Sequence, residues 1–250
     1  GEGRIFFFFF FPGVQQELLE AVYQANPNIV LVLNNGRPLA LPWADANIPA
    51  IVEAWQLGTE SGNAIAQVLY GDYNPSGKLP MTFPRSVGQL PIYYNQKTTG
   101  RPVENGEDSV FWSHYTDEEN TPLYPFGYGL SYSKFEYSDL KVSSPSFSSN
   151  GKITVSVNVK NTSKVEGKEV VQMYLKDLIG SVTRPMKELK GFEMVSLKAN
   201  ETKTVTFTID SKLLEFYTAN NKWEAEPGDF KVFIGGSSDA KLEASFEYKG

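Results

Sequence analysis

The sequence contains no cysteine and a single histidine, His114. Without thiols the chain forms neither disulfides nor thiolate metal sites, and it has no cysteine nucleophile. One histidine excludes a multi-histidine metal site and makes a Ser-His-Asp triad a poor hypothesis. The sequence offers no other ligand spacing for a metal site, and a structural cation in the acidic loops is left open. We expect no cofactor.

A basic block and a long apolar run are also lacking. The net charge is −6, which argues against a nucleic-acid-binding surface. The apolar run at residues 5–11 is seven residues long. A membrane-spanning helix needs roughly 20. We therefore expect neither nucleic acid nor a membrane among the partners.

What is present is the composition of a globular protein. Of the 250 residues, 41% are hydrophobic and 21% are charged, which is typical of a folded globular protein. The length is sufficient for one large domain or two domains of ordinary size. The sequence starts at Gly1 rather than at a methionine, so we expect a fragment, a processed product or a partial chain. Six consecutive phenylalanines at residues 6–11 are the strangest feature, because such a segment is aggregation-prone as a helix or as a strand.

The first half alternates helical and strand patterns. PGVQQELLEAVYQAN (12–26) has helical spacing, and the run NIVLVL (28–33) is typical of a parallel strand buried on both faces. AIVEAW (50–55) predicts a second short strand. TESGNAIAQVLYGD (59–72) predicts a helix capped by Thr59 or Ser61 and ended by Gly71. This order of elements predicts an α/β layered domain, followed by a long irregular segment at residues 84–129.

The second half alternates with the period of strands. ITVSVNV (153–159) and TVTFTI (204–209) are the clearest cases, and EVVQMYL, KGFEMVSL and DFKVFIG predict further strands. About seven short strands over roughly 115 residues indicate an immunoglobulin-like β-sandwich. Because the Cys…Trp…Cys pattern is absent, a fibronectin type III-like version fits better. We therefore predict two domains, residues 1–133 and residues 134–250.

Several segments, in order and across nearly the whole chain, resemble glycoside hydrolase family 3. They are NNGRPLAL (34–41), EAWQLGTESGNAIAQVLYGDYNPSGKLPMTFPRSVGQLPIYY (53–94), LYPFGYGLSY (123–132) and VVQMYLKD with RPMKELKGFEMVSL (170–197). The likeness is to the C-terminal part of bacterial periplasmic β-glucosidases. It implies an α/β sandwich domain followed by a fibronectin type III-like domain, with the family's N-terminal (β/α)8 barrel missing. It also implies a periplasmic or secreted bacterial location, and a homodimer is a further expectation.

The resemblance also assigns a catalytic role to Glu2. The family's nucleophile is an aspartate on the missing barrel, and its acid/base is a glutamate on a loop that reads Glu-x-x-Ser-Arg and ends at Pro-Gly. Glu2-Gly3-Arg4 and Pro12-Gly13 match the two ends of that loop, so Glu2 matches the acid/base. Ile5 and Phe6 stand where serine and arginine are expected. We expect residues 6–11 to depart from the natural sequence; an engineered apolar loop is the alternative.

Aromatic residues in the irregular segment are candidates for contacts with a sugar. Phe111, Trp112 and Tyr115 could stack on a pyranose, although packing against the missing barrel explains them equally well. The acidic run at residues 117–119 is typical of a solvent-exposed loop, so we do not predict a catalytic role for it. The resemblance thus implies part of an exo-acting β-glucosidase that binds a β-glucoside or oligosaccharide. The competing interpretation is a non-catalytic carbohydrate-binding or structural two-domain module.

Overall fold

The structure, a computed structural model, describes residues 9–101 and 112–250. The described residues form two compact units. The first holds residues up to Tyr73 together with Met81–Ile92 and Tyr115–Tyr124. The second holds Asn74–Pro80, Tyr93–His114 and Pro125–Gly250. Short segments before residue 134 belong to the second unit, and the boundary between residues 133 and 134 stays a prediction.

The first unit is an α/β arrangement around two parallel strands. It contains α1 (Gln15–Ala25), β1 (Val30–Leu33), α2 (Pro42–Asn47), β2 (Ala50–Glu53) and α3 (Ser61–Tyr70). Strands β1 and β2 pair in parallel, as predicted. Residues 84–101 and 112–129 carry only a short 3-10 helix, Val87–Gln89, in agreement with the predicted irregular segment.

Burial in the first unit differs from the prediction. In β1 only Leu33 is buried, so the expectation of a strand buried on both faces is wrong for this chain. Helix α1 has no buried residue, and Leu18 is 62% exposed. Within the described residues β1 pairs with β2 alone. The groove between α1 and β1 leaves one side of the strand partly open.

Helix α3 ends as predicted but begins differently. Gly71 follows it with φ +83°, in the left-handed region where glycine ends helices without strain. The N-cap residue is Glu60, and it makes no side-chain cap hydrogen bond. The predicted caps, Thr59 and Ser61, are therefore wrong.

The second unit is a β-sandwich built on alternating strands. Its strands are β3 (Phe135–Val142), β4 (Ser146–Phe147), β5 (Lys152–Asn161), β6 (Gly167–Asp177), β7 (Glu188–Leu197), β8 (Thr202–Asp210), β9 (Phe216–Tyr217), β10 (Trp223–Glu224), β11 (Gly228–Gly235) and β12 (Leu242–Tyr248). A short helix, α4 (Ser211–Leu214), follows β8. One sheet has the order β4-β12-β11-β6-β7, the other has the order β3-β5-β8, and β9 and β10 form a separate hairpin.

The alternation of β5 explains the core of this unit. Every second residue of β5 is buried, and β8 repeats the pattern with its partners in register. These side chains meet those of the five-stranded sheet in one apolar cluster, and each contributes about 1.5–3 kcal/mol on burial. Its central members are Ile153, Val155, Val157, Val159, Val171, Met173, Leu175, Val205, Phe207, Ile209, Val232, Ile234 and Phe246. The predicted fold class, α/β followed by a fibronectin type III-like sandwich, is confirmed.

Candidate functional site

Two of the residues predicted to meet substrate lie outside the described residues. These are Glu2, the predicted acid/base, and Phe111. Trp112 and Tyr115 are described: Trp112 is half-buried and Tyr115 is 42% exposed. The roles of all four stay predictions.

Backbone contacts fix the surroundings of Trp112. The carbonyl of Trp112 lies 2.8 Å from Nδ1 of His114, which donates to it when that nitrogen carries the proton. The Ser113 N–H donates to the Arg101 carbonyl at 2.8 Å. Both bonds lie within the second unit, whereas Tyr115 belongs to the first, where its N–H donates to Asn120 Oδ1 at 3.1 Å. In the structure His114 therefore helps to shape a loop.

The carboxyl ends of β1 and β2 form a polar cluster that the sequence did not predict. Leu33 lies opposite Glu53 in the parallel register, and the Ala54 N–H continues the ladder to the Leu33 carbonyl at 2.9 Å. Asn35 and Trp55 follow directly after these ends. In open α/β sheets ligands bind at the carboxyl ends of parallel strands, so this edge is a candidate site.

The two polar side chains at this edge are only partly satisfied. Glu53 Oε1 accepts from the Trp55 N–H at 3.0 Å, and Asn35 Nδ2 donates to the Arg37 carbonyl at 2.8 Å. Glu53 Oε2 and Asn35 Oδ1 are buried, and no described residue donates to them. Burial raises the pKa of Glu53, an effect that the Trp55 N–H and the Asn35 amide partly offset. Both this burial and the lack of a donor favour the protonated form of Glu53.

Trp55 is held in an unusual conformation beside this cluster. Its φ is +49°, in the left-handed region that side-chain-bearing residues rarely adopt. Its ring meets Phe83 edge-on, with centroids 6.0 Å apart, and Phe83 is itself buried. The Phe83 N–H donates to the Tyr124 carbonyl at 2.9 Å, and Tyr124 Oη donates to Asp45 at 2.6 Å. Strain of this kind is concentrated at functional sites.

The loop after β1 contacts the described end of the phenylalanine tract. The Ala40 N–H donates to the Phe9 carbonyl at 2.7 Å, between Leu39 and Leu41, which are both buried. Phe9 lies three residues before Pro12. Among the described residues, the loop at 34–41 is therefore held to the end of the phenylalanine tract through Ala40.

An apolar groove of about 890 Å³ opens between α1 and β1. It is lined mainly by residues of the phenylalanine tract's end, of α1 and of β1, among them Phe10, Phe11, Leu18, Leu19, Val22 and Val32. Arg37 is the one charged residue among the described residues that line it. Gln15, Asn34 and Asn35 add polar groups at its edge, so the groove combines an apolar wall with a polar rim.

One of the two missed residues had a signal in the sequence. Asn35 lies two residues after the end of the predicted strand 28–33, where parallel sheets place functional side chains, whereas Glu53 lies inside the predicted strand 50–55. Neither the burial of Glu53 nor the backbone strain at Trp55 follows from the sequence, because both depend on contacts with residues such as Phe83, far along the chain.

Residues 9–101 and 112–250 show no group of three or more histidine, aspartate or glutamate side chains suited to hold a metal ion. They also include no helix that is both long and apolar enough to cross a membrane.

Comparison with known proteins identifies both parts of the chain. Residues 9–132 match the glycosyl hydrolase family 3 C-terminal domain, and residues 169–238 match the fibronectin type III-like domain. A periplasmic β-glucosidase of Salmonella typhimurium is 54% identical over 94% of this chain and 31% of its own length. A β-xylosidase of Formosa agariphila is 46% identical over 91% of this chain and 31% of its own length.

Solved structures agree with these sequence relatives. The β-glucosidase of Listeria innocua in complex with isofagomine superposes with a TM-score of 0.89 at 42% identity, over 97% of this chain and 34% of that chain. A mutant of the same enzyme in complex with laminaribiose gives a TM-score of 0.90, also at 42% identity, over 97% of this chain and 33% of that one. This chain thus spans about a third of the length of the proteins it matches. It belongs to glycoside hydrolase family 3, of which it carries the C-terminal domain and the fibronectin type III-like domain but no (β/α)8 barrel.

Proposed function

We propose that this chain is the C-terminal portion of an exo-acting retaining β-glucosidase that releases terminal non-reducing β-D-glucosyl residues. The observation that carries the proposal is the match, over 94% of this chain, to a periplasmic β-glucosidase at 54% identity. The structural match to a β-glucosidase in complex with a glucose disaccharide, laminaribiose, supports the same substrate class. The carboxyl-end cluster of Asn35 and Glu53 adds a polar edge to the first unit.

The proposed chemistry uses two carboxyl groups. Retaining glycosidases place a nucleophile and an acid/base about 5–5.5 Å apart. Glu2 protonates the leaving oxygen in the first step and activates water in the second, while an aspartate on the barrel, outside this chain, forms the glycosyl ester. Phe9, within the predicted loop, accepts a hydrogen bond from the Ala40 N–H. No cofactor is needed for this reaction.

A β-xylosidase is the second candidate activity. The relative from Formosa agariphila, 46% identical over 91% of this chain, carries that name. The two activities differ in the hydroxymethyl group of the sugar. Comparing hydrolysis of aryl β-glucosides and aryl β-xylosides by the complete polypeptide separates them. A kcat/KM higher for the xyloside would replace the β-glucosidase assignment.

A non-catalytic carbohydrate-binding or structural module remains the alternative to an enzyme. The complete polypeptide distinguishes the two, because only an enzyme has a barrel with its aspartate ahead of Glu2. The name of the Salmonella typhimurium relative supports a periplasmic location, and the substrate and the barrel are the partners we propose. A homodimer formed through the fibronectin type III-like domain stays a prediction.

Substitution of Glu2 tests the catalytic proposal. In the complete enzyme we expect Glu2→Gln to lower kcat by about 10²–10⁴-fold on substrates with poor leaving groups, which need protonation. Substrates with good leaving groups should lose less, and azide should restore turnover by replacing the activated water.

The matched control is Glu17→Gln, which changes an exposed carboxylate in the first turn of α1. It should leave kcat unchanged. Activity retained in Glu2→Gln would assign the acid/base to another residue.

A further inference from the structure

Two exposed aromatic side chains are paired on the second unit, away from its core. Trp223 is 69% exposed and Tyr217 is 52% exposed. They lie directly opposite one another in the antiparallel pair of β9 and β10. Their ring centroids are 6.0 Å apart with an interplanar angle of 65°. Large aromatic side chains that stay exposed side by side indicate a binding surface more than single exposed residues do.

The short hairpin holds this pair in a fixed position. The Thr218 N–H donates to the Lys222 carbonyl at 2.9 Å, and the Asn221 N–H donates to the Thr218 carbonyl at 3.1 Å. The Ala219 N–H donates to Ser181 Oγ at 3.1 Å, which ties the hairpin to the loop after β6. The rings therefore need little ordering before they bind a ligand.

The opposite face of the hairpin anchors it to the domain. Because side chains alternate along a strand, Phe216 and Glu224 point away from the two rings. Phe216 is buried, and the guanidinium carbon of Arg184 lies 3.8 Å from the centroid of its ring. Replacing an exposed ring thus leaves these inward contacts in place.

We propose that Tyr217 and Trp223 form a binding site for a β-glucan chain. The face of a β-glucopyranose presents axial C–H groups, which stack on the electron-rich face of an aromatic ring. The hydroxyl of Tyr217 and the indole N–H of Trp223 supply polar tips that meet sugar hydroxyls. The exposed turn between the strands adds the amide of Asn221, whereas the amide of Asn220 donates to Glu224 Oε1 at 3.2 Å. The choice of β-glucan over other polysaccharides rests on the proposed function.

The size of the patch favours a sugar over a protein partner. Two aromatic side chains bury roughly 150–250 Å² each at most, whereas a stable protein interface buries about 800 Å² on each partner. The turn beside the rings, from Ala219 to Lys222, is exposed and mainly polar, so it bounds the apolar surface on that side. The area of two aromatic side chains is sufficient to stack one or two sugar rings.

A site of this kind would keep the domain bound to a polysaccharide while the enzyme removes sugars from the chain ends.

The test uses the 250-residue chain itself. In native gels that contain a soluble β-1,3-glucan, we expect wild-type chain to be retarded and Trp223→Ala and Tyr217→Ala each to bind at least tenfold more weakly. A soluble α-glucan should retard none of them. In ¹H–¹⁵N spectra, the indole signal of Trp223 should shift with added glucan more than those of Trp43, Trp55 and Trp112.

The control variant is Phe192→Ala on β7, where the side chain is also 69% exposed. It should bind glucan as the wild type does. Circular dichroism checks that every variant is folded. The proposal is overturned if glucan retards all variants equally, or if it does not retard the wild-type chain. Concentration-dependent dimerisation that Trp223→Ala abolishes also overturns it, because the rings would then bind a second copy of the chain. The glycosidase proposal is unaffected by any of these results, since it depends on Glu2.

Discussion

At the scale of single residues, a buried network of charged side chains in the second unit allows the effect of a substitution on the free energy of unfolding to be predicted. Lys78 Nζ lies 3.2 Å from Glu169 Oε1, and it donates to the Gly129 carbonyl at 3.1 Å. Tyr137 Oη donates to Glu169 Oε1 at 2.8 Å. Burial, and then the charge of Glu169, raise the pKa of Tyr137, so its hydroxyl stays a donor through the neutral range. Glu169 is thus a buried carboxylate with two essential partners.

Lys78→Met should therefore destabilise the second unit strongly. Removing one partner of a buried ion pair typically costs about 3–5 kcal/mol, because the remaining charge stays desolvated. Urea unfolding of the chain, followed by the fluorescence change of the second unit, measures the loss.

Lys231→Met is the matched control for this substitution. It removes a surface ion pair in which Lys231 Nζ lies 2.6 Å from Glu243 Oε1. Its effect should stay below about 1 kcal/mol, because solvent screens exposed pairs. Equal effects of the two substitutions would contradict the role given to the network.

At the scale of elements, the turn at residues 125–129 depends on its first glycine. Gly127 has φ +79°, and a Cβ there would lie 2.1 Å from Gln172 Oε1. Gln172 is buried on β6, where Nε2 donates to the carbonyls of Gly127 at 3.1 Å and Gly236 at 2.7 Å. A side chain at position 127 would therefore displace the group that joins two loops to the sheet.

Gly127→Ala should lower the free energy of unfolding by more than about 2 kcal/mol, from backbone strain and the lost hydrogen bonds together. Thermal unfolding of the second unit gives the measurement. Gly77→Ala is the control, since a Cβ at that exposed position meets no atom within 4 Å and φ is not positive. An unchanged midpoint for Gly127→Ala would show that Gln172 moves aside at little cost.

The elements also show what the sequence can and cannot predict. The alternation of β5 and β8 predicts strands correctly because one face of each lies on the core and the other faces water. Strand β3 was not predicted individually. It has a register shift between Ser138 and Lys141, and Asp139 has φ +53°, so its alternation is broken. For the site, the family motif points to Glu2, whereas the half-buried Glu53 can be recognised only from the tertiary structure.

At the scale of the whole molecule, the two units differ in how much they bury. The second unit encloses the cluster around Val155, Val171 and Val232, each of which is fully buried. In the first unit, helices α1 and α3 contain no buried residue, and β1 and β2 pair only with each other within the described residues. Local stability follows the burial of apolar groups, so it should be unequal.

Hydrogen exchange of the 250-residue chain should show this difference directly. We expect backbone amides of β5 and β6 to exchange more than about tenfold more slowly than those of α1 and β1, because opening the sandwich exposes a large core. Mass spectrometry of peptic peptides from each element provides the comparison. Uniform protection across the two units would contradict the expectation. In the complete polypeptide, protection of α1 should rise if the groove beside it is covered there.

The groove between α1 and β1 has a practical consequence for anyone who purifies this chain. Arg37 is the one charged residue among the described residues that line the groove, and the side chains of Leu18 and Val22 are exposed to water. Association of two chains through the groove buries apolar surface and is therefore favourable in free energy. We expect the protein to precipitate as its concentration is raised. Leu18→Glu would raise the magnitude of the net charge, which is −6, at a side chain that is 62% exposed. It is the first change to make for a sample that must be kept at high concentration.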